Sequence, residues 1–167
     1  MKLPQQDLMS DDSLDALTGL LNRHAFHSKL ADVLRGYSKD DGDIALILGD
    51  MDHFKAVGDR FGIPPGNEAL TRVASLLQSL VRPEDVVCRY GGDEFLILSA
   101  GTSAARAKSL AERIETEVAR LKVSWDGCDL GPLSMTTGVA LCPRDGTRAN
   151  HLTEAADLTL RRRKRRR

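Results

Sequence analysis

Apolar residues recur along this chain in two periods. Phe26, Leu30, Val33 and Leu34 share one helical face after a turn that begins at Asp15. Between Gly66 and Val81 the pattern is fuller: Leu70, Val73, Ala74, Leu77, Leu80 and Val81 form one stripe, and Pro83 stops it. A third helix is predicted over 104–121, with Ala107, Leu110, Ala111, Ile114, Val118 and Leu121 turned inward, and a fourth from Leu152 to the end. Shorter runs lie between them. Ile44-Ala45-Leu46-Ile47-Leu48 is continuously apolar, the pattern of a strand buried on both faces. Residues 86–90 and 95–98 flank Gly91-Gly92 and read as a β-hairpin with an acidic tip. Residues 133–141 are a further strand, 38–43 a polar loop and 143–146 a turn. Strands interleaved with helices predict an α+β fold, a central mixed sheet covered by helices.

Composition narrows the class. The 167 residues are 41% hydrophobic, enough for one core, and neither a repeat nor a Gly/Ser- or Pro-rich linker divides them. Residues 1–14 read as a short lead-in to a single domain over 15–167. The longest apolar run is far short of the roughly 20 residues that span a bilayer. The polar, acidic start lacks a signal pattern. Cys88, Cys128 and Cys142 are odd in number and widely spaced, the usage of free thiols in a reducing cytoplasm, and neither they nor the four His offer zinc spacing.

The 24 Lys and Arg balance 24 Asp and Glu, but seven of those cations are Arg161 to Arg167. Without them 17 positive charges face 24 negative. So basic an end could bind polyanions, but a neutral chain with seven aromatics has neither the overall field nor the stacking platform of a nucleic-acid binder.

Two acidic clusters sit at strand ends: Gly49-Asp50-Met51-Asp52-His53-Phe54-Lys55 after the buried run, and Gly91-Gly92-Asp93-Glu94-Phe95 at the hairpin. Carboxylates brought together repel unless a cation lies between them. Hard oxygen ligands suit Mg²⁺, which takes one or two carboxylates and completes its shell with water and substrate phosphate. The glycines before Asp93 allow a ligand to approach the backbone closely.

Arg89-Tyr90-Gly91-Gly92-Asp93-Glu94-Phe95 resembles the signature of the GGDEF family, the diguanylate cyclases. Four further blocks resemble the family in order: Asp15-Ala16-Leu17-Thr18-Gly19-Leu20-Leu21-Asn22-Arg23, Asp50-Met51-Asp52-His53-Phe54-Lys55, Thr136-Thr137-Gly138-Val139-Ala140, and Ala156-Asp157 opening the last helix. Together they cover the chain from residue 15 to its end, one GGDEF domain. The resemblance implies a nucleotidyl-cyclase-like palm with a mostly antiparallel sheet, and condensation of two GTP to cyclic di-GMP with release of pyrophosphate. Two identical subunits would face each other, one GTP in each, brought together with the help of a sensor or partner protein. By position, Asp50, Asp93 and the Met51 carbonyl would hold two Mg²⁺ ions per site, with Mn²⁺ as a substitute. Asp93 or Glu94 would act as base, and Lys55 and Lys164 would contact the triphosphate. Arg82-Pro83-Glu84-Asp85 supplies the family's R-x-x-D product-inhibition motif, with Arg113 completing it.

The chain departs from the family where guanine is read. Gly58 stands for the usual Asn and Asn67 for the usual Asp. A carboxylate accepts from both N1–H and N2–H of guanine, whereas an amide offers one acceptor and a donor, and glycine offers neither. Three outcomes are open: a weak cyclase, a cyclase of altered purine specificity, or a degenerate domain that binds cyclic di-GMP or GTP as a receptor.

Overall fold

The computed structural model describes residues 11–166, so most of the 1–14 lead-in, and Arg167 at the basic end, lie outside the described residues. The elements in order are β1 (Leu21–Asn22), α1 (Arg23–Arg35), β2 (Asp43–Met51), α2 (Phe54–Phe61), α3 (Ile63–Leu80), β3 (Val86–Arg89), β4 (Glu94–Thr102), α4 (Ala104–Arg120), β5 (Ser124–Trp125), β6 (Cys128–Asp129), β7 (Met135–Cys142) and α5 (Ala149–Lys164). Five strands form one sheet in the order β1-β3-β4-β2-β7. Only β1 and β3 are parallel; the other neighbours are antiparallel, so the sheet is mixed and mostly antiparallel, as expected.

The continuous apolar run is explained by its place. β2 lies between β4 and β7 and is covered on both faces. Ile47 packs with Phe95, Ile97 and the inward stripes of α3 and α4. Ile44, Leu46 and Leu48 pack on the other face with Leu96, Leu98, α1 and α5. β7 is an edge strand, and its outer polar groups are closed by side chains. Glu115 accepts from the Thr137 N–H at 2.8 Å, Arg163 donates to the Thr137 carbonyl at 2.9 Å, and Asp145 accepts from the Leu141 N–H at 2.8 Å. Such plugs deny the edge to a foreign strand. α5 crosses β7 at Gly138, where a Cβ would lie 2.1 Å from the Ala156 carbonyl oxygen. Glycine is therefore what lets the helix seat.

The structure adds to the elements read from sequence. β2 runs on past the apolar run to Met51, so Asp50 lies within the end of the strand. α2 is a further addition: Phe54, Val57 and Phe61 share one helical face and pack, partly buried, against the core, but the helix is only eight residues long and contains Gly58. α3 starts at Ile63 rather than Gly66, since Pro64 and Pro65 are tolerated in a first turn whose N–H groups need no helical partner. The small β5–β6 hairpin is a further addition, although its Asp126-Gly127 turn, at φ 47° and 79°, is a standard hairpin signal.

Candidate active site

The antiparallel register of β2 and β4 sets Asp50 directly opposite Glu94. One residue on, the Met51 N–H donates to the Asp93 carbonyl at 3.1 Å, tying the end of β2 to the hairpin turn. Asp50, Met51, Asp93 and Glu94 therefore meet at one end of the sheet, as the sequence motifs require. Gly91 makes this arrangement fit: a Cβ there would lie 2.6 Å from Glu94 Oε2, so the carboxylate folds across the glycine.

Lys164, on the last turn of α5, reaches the same place. Its ammonium donates to Asp50 Oδ1 and stands 3.4 Å from Asp52 Oδ1. Asp52 is fixed from β7's side, accepting from the Thr136 hydroxyl at 2.7 Å and the Ser134 hydroxyl at 3.1 Å. Burial alone would raise Asp52, but these bonds and Lys164 outweigh it and hold its carboxyl below the usual range.

Asp93 and Glu94 behave oppositely. Burial, then the charge of Asp50, pushes Asp93 up, against the weaker pull of Lys164 and Arg89. Glu94 is raised by burial and by Asp50, Asp93 and Asp157, with Arg23 opposing. These carboxylates carry more negative charge than their cations neutralise, the condition a divalent ion relieves. Among the described residues no three His, Cys, Asp or Glu side chains converge to hold a metal by themselves. Two carboxylates and a main-chain carbonyl remain, a donor set that fits Mg²⁺ sharing its shell with phosphate and water.

Behind the turn lies a clamp that sequence motifs do not mark as part of the site. Arg89 donates to the Gly92 carbonyl from Nη2 at 2.8 Å and Nε at 3.2 Å, and to Asp15 at 3.2 and 3.3 Å. Asp15 also accepts from the Thr18 N–H at 2.9 Å and hydroxyl at 2.7 Å. The Arg23 guanidinium lies over the Tyr90 ring, 4.5 Å from its centroid. The block that opens at Asp15 and the block that opens at Arg89 are thus two sides of one support for the acidic turn. Their spacing in the chain gives no sign of it.

The remaining predicted residues lie elsewhere. Lys55 is exposed on the first turn of α2, Gly58 follows one turn later, and Asn67 sits in the second turn of α3. Among the described residues, none of the three forms an ion pair or side-chain hydrogen bond with Asp50, Asp52, Asp93 or Glu94. Arg82, Asp85 and Arg113 come together in a groove of about 480 Å³, joined by Ser99, Arg106 and Ser109. Ser99 is five residues along β4 from Glu94, roughly 17 Å at ~3.4 Å per residue, so this is a separate site. Asp85 is 8% exposed. Its Oδ2 accepts from the Arg82 N–H at 3.0 Å, while its buried Oδ1 has no hydrogen-bond partner. Arg113 turns to the Leu80 carbonyl and thereby borders the groove from α4.

A family model described as "Diguanylate cyclase, GGDEF domain" matches residues 12–167, and the chain belongs to the GGDEF domain family. It is 35% identical over 152 residues to the diguanylate cyclase DgcP of Pseudomonas aeruginosa, covering 90% of this chain and 22% of that protein. The chain thus spans about a fifth of that relative's length. A solved sensory box/GGDEF family protein from Caulobacter crescentus superposes with a TM-score of 0.86 at 36% identity, covering 93% of this chain and 99% of that one. The GGDEF domain of DgcB from Caulobacter crescentus, solved in complex with c-di-GMP, superposes at 0.86 and 28% identity, covering 98% and 93%. No helix among the described residues is long and apolar enough to cross a membrane.

Proposed function

We propose that this domain condenses two GTP molecules into cyclic di-GMP, with two copies of the chain facing each other and one nucleotide in each. The observation that carries this reading is the convergence of Asp50, Asp93, Glu94 and Lys164 at one end of the sheet, on the motif that names the family. In each half-reaction the 3′-oxygen of one GTP bonds to the α-phosphorus of the other, and the bond to the β-phosphate breaks. Two such steps close the ring and release two pyrophosphates.

Asp50, Asp93 and the Met51 carbonyl would hold the Mg²⁺ ions. When bound, the metal lowers the pKa of the attacking hydroxyl and neutralises charge on the leaving pyrophosphate. Glu94 or Asp93, which the β2–β4 register sets beside Asp50, would accept the hydroxyl proton. Lys55 and Lys164 supply ammonium groups for the triphosphate. Arg82, Arg113 and the unpartnered Asp85 oxygen offer cyclic di-GMP two guanidinium groups and one acceptor, the chemistry of a phosphate and a guanine edge. Product held there restrains the enzyme.

A second reading is favoured by one observation. At Gly58 an added Cβ would meet nothing within 4 Å, so no neighbouring side chain fills the place of the Asn usual in the family. The domain would then be a receptor for cyclic di-GMP through the Arg82 groove, or a cyclase that accepts another purine. Incubating the purified protein with Mg²⁺ and GTP, ATP or both, and identifying products by mass spectrometry, separates these readings. Cyclic di-GMP that disappears in Asp93→Ala supports the cyclase. No cyclic dinucleotide, together with cyclic di-GMP binding abolished by Arg82→Ala, establishes the receptor.

A further inference from the structure

Lys164 stands where a cation belongs. Its ammonium donates to Asp50 Oδ1 and lies within 4 Å of Asp52, reaching in from a helix 114 residues further along the chain. Asp52 has other support in Thr136 and Ser134, whereas Asp50 makes no other side-chain hydrogen bond among the described residues. The charge on Asp50 is thus answered by Lys164. Two neighbouring cations are engaged elsewhere: Arg161 with Asp157 at 2.9 Å, and Arg163 with Glu115 at 2.6 Å.

An ammonium and a divalent ion cannot share one carboxylate oxygen at hydrogen-bond range without strong mutual repulsion. We propose that Lys164 is a placeholder at Asp50: it neutralises the empty site, keeps a lone divalent ion out, and leaves when a triphosphate offers it a richer set of oxygens. Metal and nucleotide then load together. The inference rests on the reading above that Asp50 is a metal ligand and Lys164 a phosphate contact.

The construction of α5 suits such an exchange. Leu160 and Ala156 are buried against the sheet, and Arg163 is bonded to Glu115 and to the Thr137 carbonyl, so the backbone of the last turn is anchored. The lysine side chain is a flexible four-carbon stem with three rotatable donors, able to move while the helix stays. Asp52 remains bonded to β7 when Lys164 departs, so the strand end that carries Asp50 keeps its position.

The test is metal binding without catalysis. Mn²⁺ is titrated into the purified domain and free Mn²⁺ is read by electron paramagnetic resonance, without nucleotide and then with excess GTP in the cold. Lys164→Met is expected to bind Mn²⁺ alone about tenfold more tightly than the parent, and to bind GTP more weakly. Arg161→Met removes the same charge from the same helix and is expected to change Mn²⁺ affinity less than about twofold. Lys164→Arg, which keeps the charge, is expected to keep Mn²⁺ out. Unchanged or weaker Mn²⁺ binding in Lys164→Met overturns the proposal, as does equal tightening in Arg161→Met, which would mark a general charge effect. Asp50→Ala keeps the two levels apart. Retention of the GTP-dependent Mn²⁺ in that variant removes Asp50 as a ligand and takes both readings down. Its loss, without tightening in Lys164→Met, removes the placeholder alone.

Discussion

The guanidinium of Arg89 donates to both carboxylate oxygens of Asp15, 74 residues earlier in the chain, at 3.2 and 3.3 Å. The same side chain holds the Gly92 carbonyl, so Asp15 reaches the acidic turn through one residue. Both side chains are mostly buried, at 16% and 23% exposure, and an ion pair there is not discounted as a surface one is. Arg89→Ala leaves Asp15 without its cation and frees the turn. It is expected to cost about 1–3 kcal/mol of unfolding free energy and to lower kcat more than KM. Lysine has no planar fork, so Arg89→Lys should rescue little of either. Urea denaturation beside steady-state kinetics checks this; an unaltered kcat in a stably folded Arg89→Ala would remove the positioning role.

The acidic groups divide into two classes with opposite pH signatures. Burial raises Asp15, but bonds from Thr18 and Arg89 outweigh it and lower its carboxyl; Asp145 is lowered chiefly by Arg144. With Asp52, these groups are depressed relative to the unfolded chain. Their stabilisation is complete above the unfolded value of about 4 and is lost as pH falls through the depressed folded values. Asp93 and Glu94 are raised, so ionising them costs stability as pH climbs past the unfolded value. Asp93→Asn and Glu94→Gln should therefore raise the urea midpoint of the metal-free protein at pH 7. The gain should vanish near pH 3.5, roughly at and below the unfolded carboxyl values, where the parental carboxyls are protonated. A lower midpoint at pH 7 contradicts the crowding of charge inferred at this site.

Sequence period reveals β2 because it is covered on both faces, and α3 because its stripe faces one core. It does not reveal α2, whose eight residues carry only three partly buried apolar side chains, Phe54, Val57 and Phe61, around a glycine. The two carboxylate clusters are legible as chemistry, yet their meeting depends on the Asp50–Glu94 register, which no local pattern encodes. The basic end shows the limit most clearly. Arg161, Arg163 and Lys164 look alike in a run of cations, but helix phase sends them to Asp157, Glu115 and Asp50 respectively.

The two unusual glycines should fail differently. A Cβ at Gly138 meets the Ala156 carbonyl oxygen at 2.1 Å and the Leu160 nitrogen at 2.5 Å, both backbone, so α5 must lift from the sheet. Gly138→Ala is expected to lose about 3 kcal/mol or more of stability, at the top of the range for overpacking. At Gly91 the obstacle is the end of a flexible side chain, Glu94 Oε2. Gly91→Ala should fold with little change in midpoint and lose activity through a displaced Glu94. Thermal melts and kcat on both variants distinguish a structural glycine from a functional one.

Thiol chemistry offers a test of the packing that needs no catalysis. Cys128 is exposed on the β5–β6 hairpin, whereas Cys88 and Cys142 are buried. Burial, with Asp15 adding to it, pushes the Cys88 thiol up to about 12, so almost no thiolate exists there at mildly alkaline pH. Native protein should react with one equivalent of a thiol-disulfide reagent within minutes, and with three only after denaturation. Cys128→Ser should abolish the fast equivalent. Rapid reaction of a second thiol would show that the α1 side of the core opens readily.

Base selection is the remaining property the substitutions at Gly58 and Asn67 should control. The space beside Gly58 is open, so Gly58→Asn introduces an amide without a clash in a helix that tolerates it. Asn67→Asp restores an acceptor pair that matches the N1–H and N2–H donors of guanine. Each recovered hydrogen bond, at about 1–1.5 kcal/mol, is worth roughly tenfold in affinity. The double variant is therefore expected to bind GTP about 100-fold more tightly, and to reject ATP more strongly, than the parent. Asn67→Asp alone should carry most of the discrimination against ATP, because a carboxylate repels the lone pair of adenine N1. Calorimetric titration of GTP and ATP with Ca²⁺ in place of Mg²⁺ measures binding without turnover. If the double variant binds both purines as the parent does, the base is read by other residues, and neither position limits the reaction.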